Sequence, residues 1–324
     1  MVRLFAALIL LTLLAGCATP VTGPALANDA AASEAAEPLT SQRALGDYPS
    51  LDYCSLMDQN AFPKRLGLIA VYPHGSYDYC LFTVQQSGTE AKVQIGNLED
   101  QKTISDADHA VDRRLPQGLE VHRDTTRGKL GGCVRYLRFT DGLLITVVAS
   151  MSDPQTSRDT CEVADATMDI VINRVAAKKV RHYEFAANAL GRRDMCDLVP
   201  AQLVGAKIGT AGAMLLKFPS GHVCQWAGPA RESPVARLYV APGESTYDPD
   251  RSKGEKIAGR DTTVTLTPIA GPRTRCQLET SEPGWPQQPV AEFVLIEIAV
   301  PGAQKDACGP ARELAGEVWP KLPR

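Results

Sequence analysis

Asp52-Tyr53-Cys54-Ser55-Leu56 returns later in the chain as Asp194-Met195-Cys196-Asp197-Leu198. Tyr79-Cys80-Leu81-Phe82 returns as Val223-Cys224-Gln225-Trp226, with an aromatic residue two places after each cysteine. Gly142-Leu143-Leu144-Ile145-Thr146-Val147-Val148 is matched by Glu292-Phe293-Val294-Leu295-Ile296-Glu297-Ile298. The chain has nine cysteines, at 17, 54, 80, 133, 161, 196, 224, 276 and 308, and the last eight carry this pattern. With Cys17 set aside, the spacings are 26, 53 and 28 in the first four and 28, 52 and 32 in the last four. Chance seldom arranges that. The sequence predicts two copies of one domain, at 48–180 and 194–324, joined by a linker at 181–193. Each copy has about 130 residues, enough for its own core.

The N-terminus reads as an address. Arg3 gives a short basic start, and Leu4 to Leu14 is an apolar run too short for a spanning helix. Leu14-Ala15-Gly16-Cys17 then places small residues before a cysteine, as in the lipobox of bacterial lipoproteins. By that resemblance, residues 1–16 are a signal peptide and Cys17 carries a diacylglyceryl group. The expected location is the extracytoplasmic face of the cell membrane, with Cys17 as lipid anchor and the body outside the bilayer. Residues 17–47 offer small and acidic side chains with little to bury. They are expected to form a flexible tether with a reach of ~30 Å.

An exported chain meets an oxidising compartment, so cysteine pairs are expected. The favoured pairing is Cys54–Cys80, Cys133–Cys161, Cys196–Cys224 and Cys276–Cys308. It keeps every bond within one copy, though other connectivities remain open to the sequence. Zinc ligation is disfavoured, because no two cysteines are as close as in Cys-x-x-Cys.

Each copy reads as α+β: a mainly antiparallel sheet with an opening and a closing helix. The first opening helix would carry Leu56, Met57 and Phe62, and the second Leu198, Leu203 and Ile208. Alternation predicts strands at 79–84, 91–95, 133–139 and 143–149, and at 222–226, 235–240, 275–280 and 292–299. Thr140-Asp141-Gly142 predicts a hairpin turn. Ala164, Met168, Val171, Ile172 and Val175 repeat at helical spacing after Cys161, as do Leu314, Ala315, Val318 and Trp319 after Cys308.

Cys196-Asp197-Leu198, Cys224-Gln225-Trp226 and Cys308-Gly309-Pro310-Ala311-Arg312-Glu313-Leu314 together resemble an actinobacterial lipoprotein family of unknown function. The first copy departs from that signature, with Phe82 in place of tryptophan. The resemblance covers the lipobox and most of both copies. It implies a cell-envelope lipoprotein of α+β fold and transfers no catalytic residue.

Chemistry-bearing motifs are few. The five histidines, at 74, 109, 122, 182 and 222, make no His-Glu-x-x-His and read as surface or loop residues. The stretch with Asp106, Asp108, His109 and Asp112 lacks the glycine and closing glutamate of a calcium loop and reads as polar surface. Asp52 and Asp194 read as helix-entry caps. Gly131-Gly132-Cys133 reads as a turn rather than a phosphate cradle, and there is no Gly-x-Ser-x-Gly. Lys178 to Glu184 reads as a solvated linker. A net charge of −3 and 6% aromatic residues argue against a nucleic-acid partner. No cofactor is expected. The leading expectation is a non-enzymatic binding or scaffold module facing an envelope protein, wall polymer or lipid. A carrier of a small apolar ligand and a wall-directed hydrolase are the alternatives.

Overall fold

In a computed structural model, the described residues are 37–72, 76–86, 88–103, 109–124, 132–151, 160–210, 212–230, 232–243, 245, 248–269, 273–281, 291–302 and 306–323. Residues 38–324 form one unit by backbone contacts. It is α+β, with two antiparallel sheets of seven strands each.

The first sheet contains β2 (Leu68–Tyr72), β3 (Tyr79–Gln86), β4 (Thr89–Asp100), β5 (His109–Arg114), β6 (Glu120–Asp124), β7 (Gly132–Arg138) and β8 (Leu143–Met151), preceded by a two-residue β1 (Leu51–Asp52). Its order is β2-β3-β4-β8-β7-β6-β5. The second contains β10 (Met214–Lys217), β11 (Val223–Ala227), β12 (Val235–Gly243), β13 (Ser252–Ile257), β14 (Arg260–Ile269), β15 (Arg273–Ser281) and β16 (Ala291–Pro301). Its order, β10-β11-β12-β16-β15-β14-β13, repeats the first position for position. The eight strands expected from alternation are four of the five inner ones of each sheet, β3, β4, β8 and β7 in the first and β11, β12, β16 and β15 in the second; the fifth inner strands, β6 and β14, were not expected.

Helices cover one face of each sheet. After α1 (Ser41–Leu45), α2 (Thr160–Ala176) packs on β7 and β8, and after α3 (Ala201–Lys207), α4 (Cys308–Val318) packs on β15 and β16. Strand alternation puts Phe82, Val93, Ile95, Leu137 and Val147 beneath α2, against Val163, Met168 and Val171. In the second sheet Trp226, Leu238, Ile296 and Ile298 meet Ala311, Leu314, Val318 and Trp319. Each such side chain contributes roughly 1.5–3 kcal/mol by leaving water. The Trp319 indole N–H, buried in this layer, donates to Thr262 Oγ1 at 3.0 Å.

All four expected disulfides are formed: Cys54–Cys80, Cys133–Cys161, Cys196–Cys224 and Cys276–Cys308. Each ties a helix or 3₁₀ turn to a strand of its own sheet. Asp52 and Asp194 cap the turns that carry Cys54 and Cys196, accepting from those backbone N–H groups at 3.0 and 2.9 Å. The Thr140-Asp141-Gly142 hairpin is present, with Gly142 at φ +85° and Phe139 N–H bonded to Leu143 O.

Three expectations are corrected. The first opening helix is a chain of 3₁₀ turns, Tyr53–Leu56, Gln59–Ala61 and Lys64–Leu66. Asp52, Asp58 and Pro63 restart the chain before an α-helix can propagate. The tether ends earlier than residue 47: Leu39 and Leu45 are buried in the first core, and Leu39 N–H donates to Gln117 O at 2.9 Å. The linker at 181–193 is not simply solvated. Arg181–His182 (β9) pairs with β1, and Leu190 and Gly191 are buried. Cys17, His74, Asp106, Asp108 and Gly131 lie outside the described residues.

Candidate binding cleft at the junction of the two sheets

The junction is built from a buried polar knot. The Glu292 carboxylate, 1% exposed, accepts from Tyr77 Oη–H at 2.6 Å, Leu190 N–H at 2.6 Å and Gly191 N–H at 3.1 Å. His222, fully buried, places Nε2 2.8 Å from Gly191 O and Nδ1 3.2 Å from Asp78 Oδ1. Tyr77 packs edge-on to Tyr183 and Phe185, with ring centres 5.4 and 5.1 Å away. Tyr77 and Asp78 sit just before β3 of the first sheet, His222 just before β11 and Glu292 within β16 of the second, and Gly191 in the connecting segment. His222 does lie in a loop, as one half of its reading has it, but the surface half is corrected, because it is fully buried. It sits one residue before β11, and no neighbour in sequence reveals that Asp78 meets it.

Burial works against a charged His222, but the Asp78 hydrogen bond and charge, the Gly191 carbonyl and the Glu292 charge outweigh it and raise its pKa. Burial and the Glu292 carboxylate hold the Tyr77 phenol far above its ordinary pKa. Gly96 shapes the same corner. Its φ is +150°, and a Cβ there would lie 2.3 Å from Asp78 O, so the close approach requires glycine. The register shift between Gly96 and Glu99 bulges β4 there.

Beside the knot lies a cleft of about 460 Å³. Tyr79, Gln94, Asn97 and Glu99 line it from the first sheet, and Gln225, Arg237, Tyr239 and Glu297 from the second. The second group comes from the face turned away from α4, since Cys224, Trp226, Leu238, Ile296 and Ile298 alternate with it into the core. Arg237 Nε donates to Gln225 Oε1 at 2.6 Å, and Arg237 and Arg275 flank Glu297 at 3.8 and 3.5 Å. Burial, then the Glu297 charge, raises the Tyr239 pKa well above its usual value. Burial, then Asp78, raises that of Tyr79. Both phenols remain donors at neutral pH. Asp78 Oδ2 is buried with no hydrogen-bond partner among the described residues. The wall thus combines aromatic surface with amide, guanidinium, phenol and carboxylate groups.

Other hollows are less organised. A groove of about 610 Å³ beside α3 is walled chiefly by Ala and Gly. A hollow of about 450 Å³ over β13–β16 draws on the second sheet alone, with its Lys256–Asp261 pair largely exposed. Asp194, Cys196 and Cys224 lie within 4.8 Å of one another, but both sulfurs are in a disulfide. Ser50 Oγ is 3.1 Å from His182 Nδ1 and 2.6 Å from Asp47 Oδ2. There the carboxylate holds the serine rather than the histidine, the reverse of a nucleophilic triad. Asp112 pairs loosely with Arg123, at 4.0 Å.

No family model matches the chain, and no curated protein matches it. Two solved structures align over most of its length. DynU16, a protein of the dynemicin biosynthetic locus, shows 12% identity over 87% of this chain and 90% of its own, with a TM-score of 0.17. The di-domain ARO/CYC protein BexL of the BE-7585A biosynthetic pathway shows 10% identity over 90% and 88%, with a TM-score of 0.14. Likeness this slight carries no argument about fold or activity.

Proposed function

We propose that the chain is an extracytoplasmic lipoprotein, anchored through Cys17, whose two sheets arose by duplication of one domain and together bind a ligand at their junction. The proposed ligand is a small hydroxyl-rich molecule or a short stretch of wall glycan. The observation that carries this reading is the 460 Å³ cleft, lined from both sheets. Its volume suits a ligand pocket, for which ~300–1,000 Å³ is ordinary. Its wall presents tyrosine faces beside Gln94, Gln225, Arg237 and Glu297, a mixture that matches a sugar's apolar face and its hydroxyls. The matching strand orders and matching cysteine spacing support the duplication. Among the described residues no helix is long and apolar enough to cross a membrane, which fits attachment by lipid. A lipid carrier would want a drier wall than this one. Hydrolysis of a glycan would want two carboxylates poised as acid and base, whereas Glu297 in the cleft is held between Arg237 and Arg275 and His222 is enclosed with both ring nitrogens engaged.

Calorimetric titration of the full-length chain with soluble wall glycan fragments tests the reading. Arg237→Ala and Tyr239→Ala are each expected to weaken binding about tenfold or more, as central contacts do. Equal affinity in both variants, or uptake of extracted lipid instead of glycan, contradicts it. Mass measurement of the membrane-extracted chain checks the anchor: a diacylglyceryl adduct beginning at Cys17 is expected, and an unmodified N-terminus rejects it.

A further inference from the structure

A second site lies on the first sheet, on the face turned away from α2. His109 on β5 stands opposite Asp124 on β6. His122, two residues before Asp124, stands opposite Tyr136 on β7. The three rings form a diagonal across three strands: His109 lies 5.1 Å from His122 and 5.9 Å from Tyr136, between ring centres. His122 is 4% exposed, and Val134, Tyr136 and Leu144 make a small dry cluster beside it. Both nitrogens of His109 are buried, and neither has a hydrogen-bond partner among the described residues. An imidazole always carries at least one donor or acceptor to satisfy, so two closed-off nitrogens call for an occupant. Glu120 accepts from His122 Nε2 at 3.1 Å and is itself held by Arg138 at 2.9 Å and Arg114 at 3.3 Å. A carboxylate fixed behind one imidazole nitrogen directs the lone pair of the other outward, as behind metal-bound histidines.

We propose that His109 and His122 bind a divalent transition-metal ion, with Glu120 orienting His122 as a positioning residue. Asp124, opposite His109 in the ladder, accepts from Tyr136 Oη at 3.4 Å and is not counted among the ligands. Two imidazoles, with water completing the shell, suit Zn²⁺, Cu²⁺ or Ni²⁺ and not Ca²⁺, which takes oxygen ligands. The site is separate from the junction cleft and does not depend on it.

The test is titration of the full-length, chelator-stripped chain with Zn²⁺ by calorimetry and with Cu²⁺ by electron paramagnetic resonance. One Zn²⁺ per chain is expected, and the Cu²⁺ spectrum should show coupling to two imidazole nitrogens. His109→Ala and His122→Ala should each weaken Zn²⁺ at least 100-fold, Glu120→Gln about tenfold, and exposed His182→Ala should leave it unchanged. The wild-type spectrum needs no variant to fold. A Cu²⁺ spectrum without two imidazole nitrogens, or Zn²⁺ binding that persists in both histidine variants, overturns the proposal. So does the lack of a stoichiometric site.

Discussion

Glu292 shows how much one side chain holds at the junction. Its two oxygens satisfy two backbone N–H groups and a phenol, all buried. Glu292→Ala leaves these donors facing a void. A buried donor without a partner costs about 1–3 kcal/mol, so the variant should lose about 3 kcal/mol or more by urea denaturation. Loss below about 1 kcal/mol would mean that water replaces the carboxylate. In sequence, Glu292 reads as the polar first position of a strand, matched to Gly142 in the first copy. Its partners come from remote segments, Tyr77 and Gly191, so nothing near it announces the role. Asp52 and Asp194 differ in this respect: a cap is a local interaction two residues long, and both were legible.

At the scale of elements, each disulfide joins a terminal helix or turn to an inner strand. Removing Cys133–Cys161 as a double alanine variant frees a 28-residue separation. It should lower stability by about 3 kcal/mol through the unfolded state, read as a shift in the denaturation midpoint. An unchanged midpoint would show that α2 is held by packing alone. The strands found in the sequence are those with one face in the core, where alternation is strong, such as β11 and β12. The outer strands escaped it. His109–Arg114 (β5) and Ser252–Ile257 (β13) sit at sheet edges with mostly polar, part-exposed side chains. Edge strands are commonly charged, which discourages pairing with other chains but erases the period-two signal. Met214–Lys217 (β10), also at an edge, fails in the opposite way, with Met214 and Leu215 apolar yet exposed.

For the whole molecule, the junction couples stability to pH. His222 faces Asp78, the Gly191 carbonyl and Tyr77, with Phe185 and Glu292 nearby. Its folded pKa is raised. The stabilisation it gives is therefore complete below the ordinary histidine value of about 6.5 and is lost as pH rises through the raised value. Denaturation midpoints between about pH 6 and pH 9 should fall more steeply in the wild type than in His222→Gln. Parallel curves would assign the pH response to other groups. The two-sheet layout was readable because the cysteine spacing recurs along the chain and each pair stays within one sheet's half. The junction was not, because it is formed by Tyr77, Asp78, Gly191, His222 and Glu292 meeting only after both sheets have folded.

Hydrogen–deuterium exchange of the full-length chain, with and without soluble wall glycan fragments, tests the junction site most directly. The cleft account predicts slowed exchange in segments of both sheets at once, 76–79 and 94–99 in the first and 223–225 and 237–241 in the second. Protection confined to one sheet, or bound glycan that leaves these four segments unchanged, would contradict it.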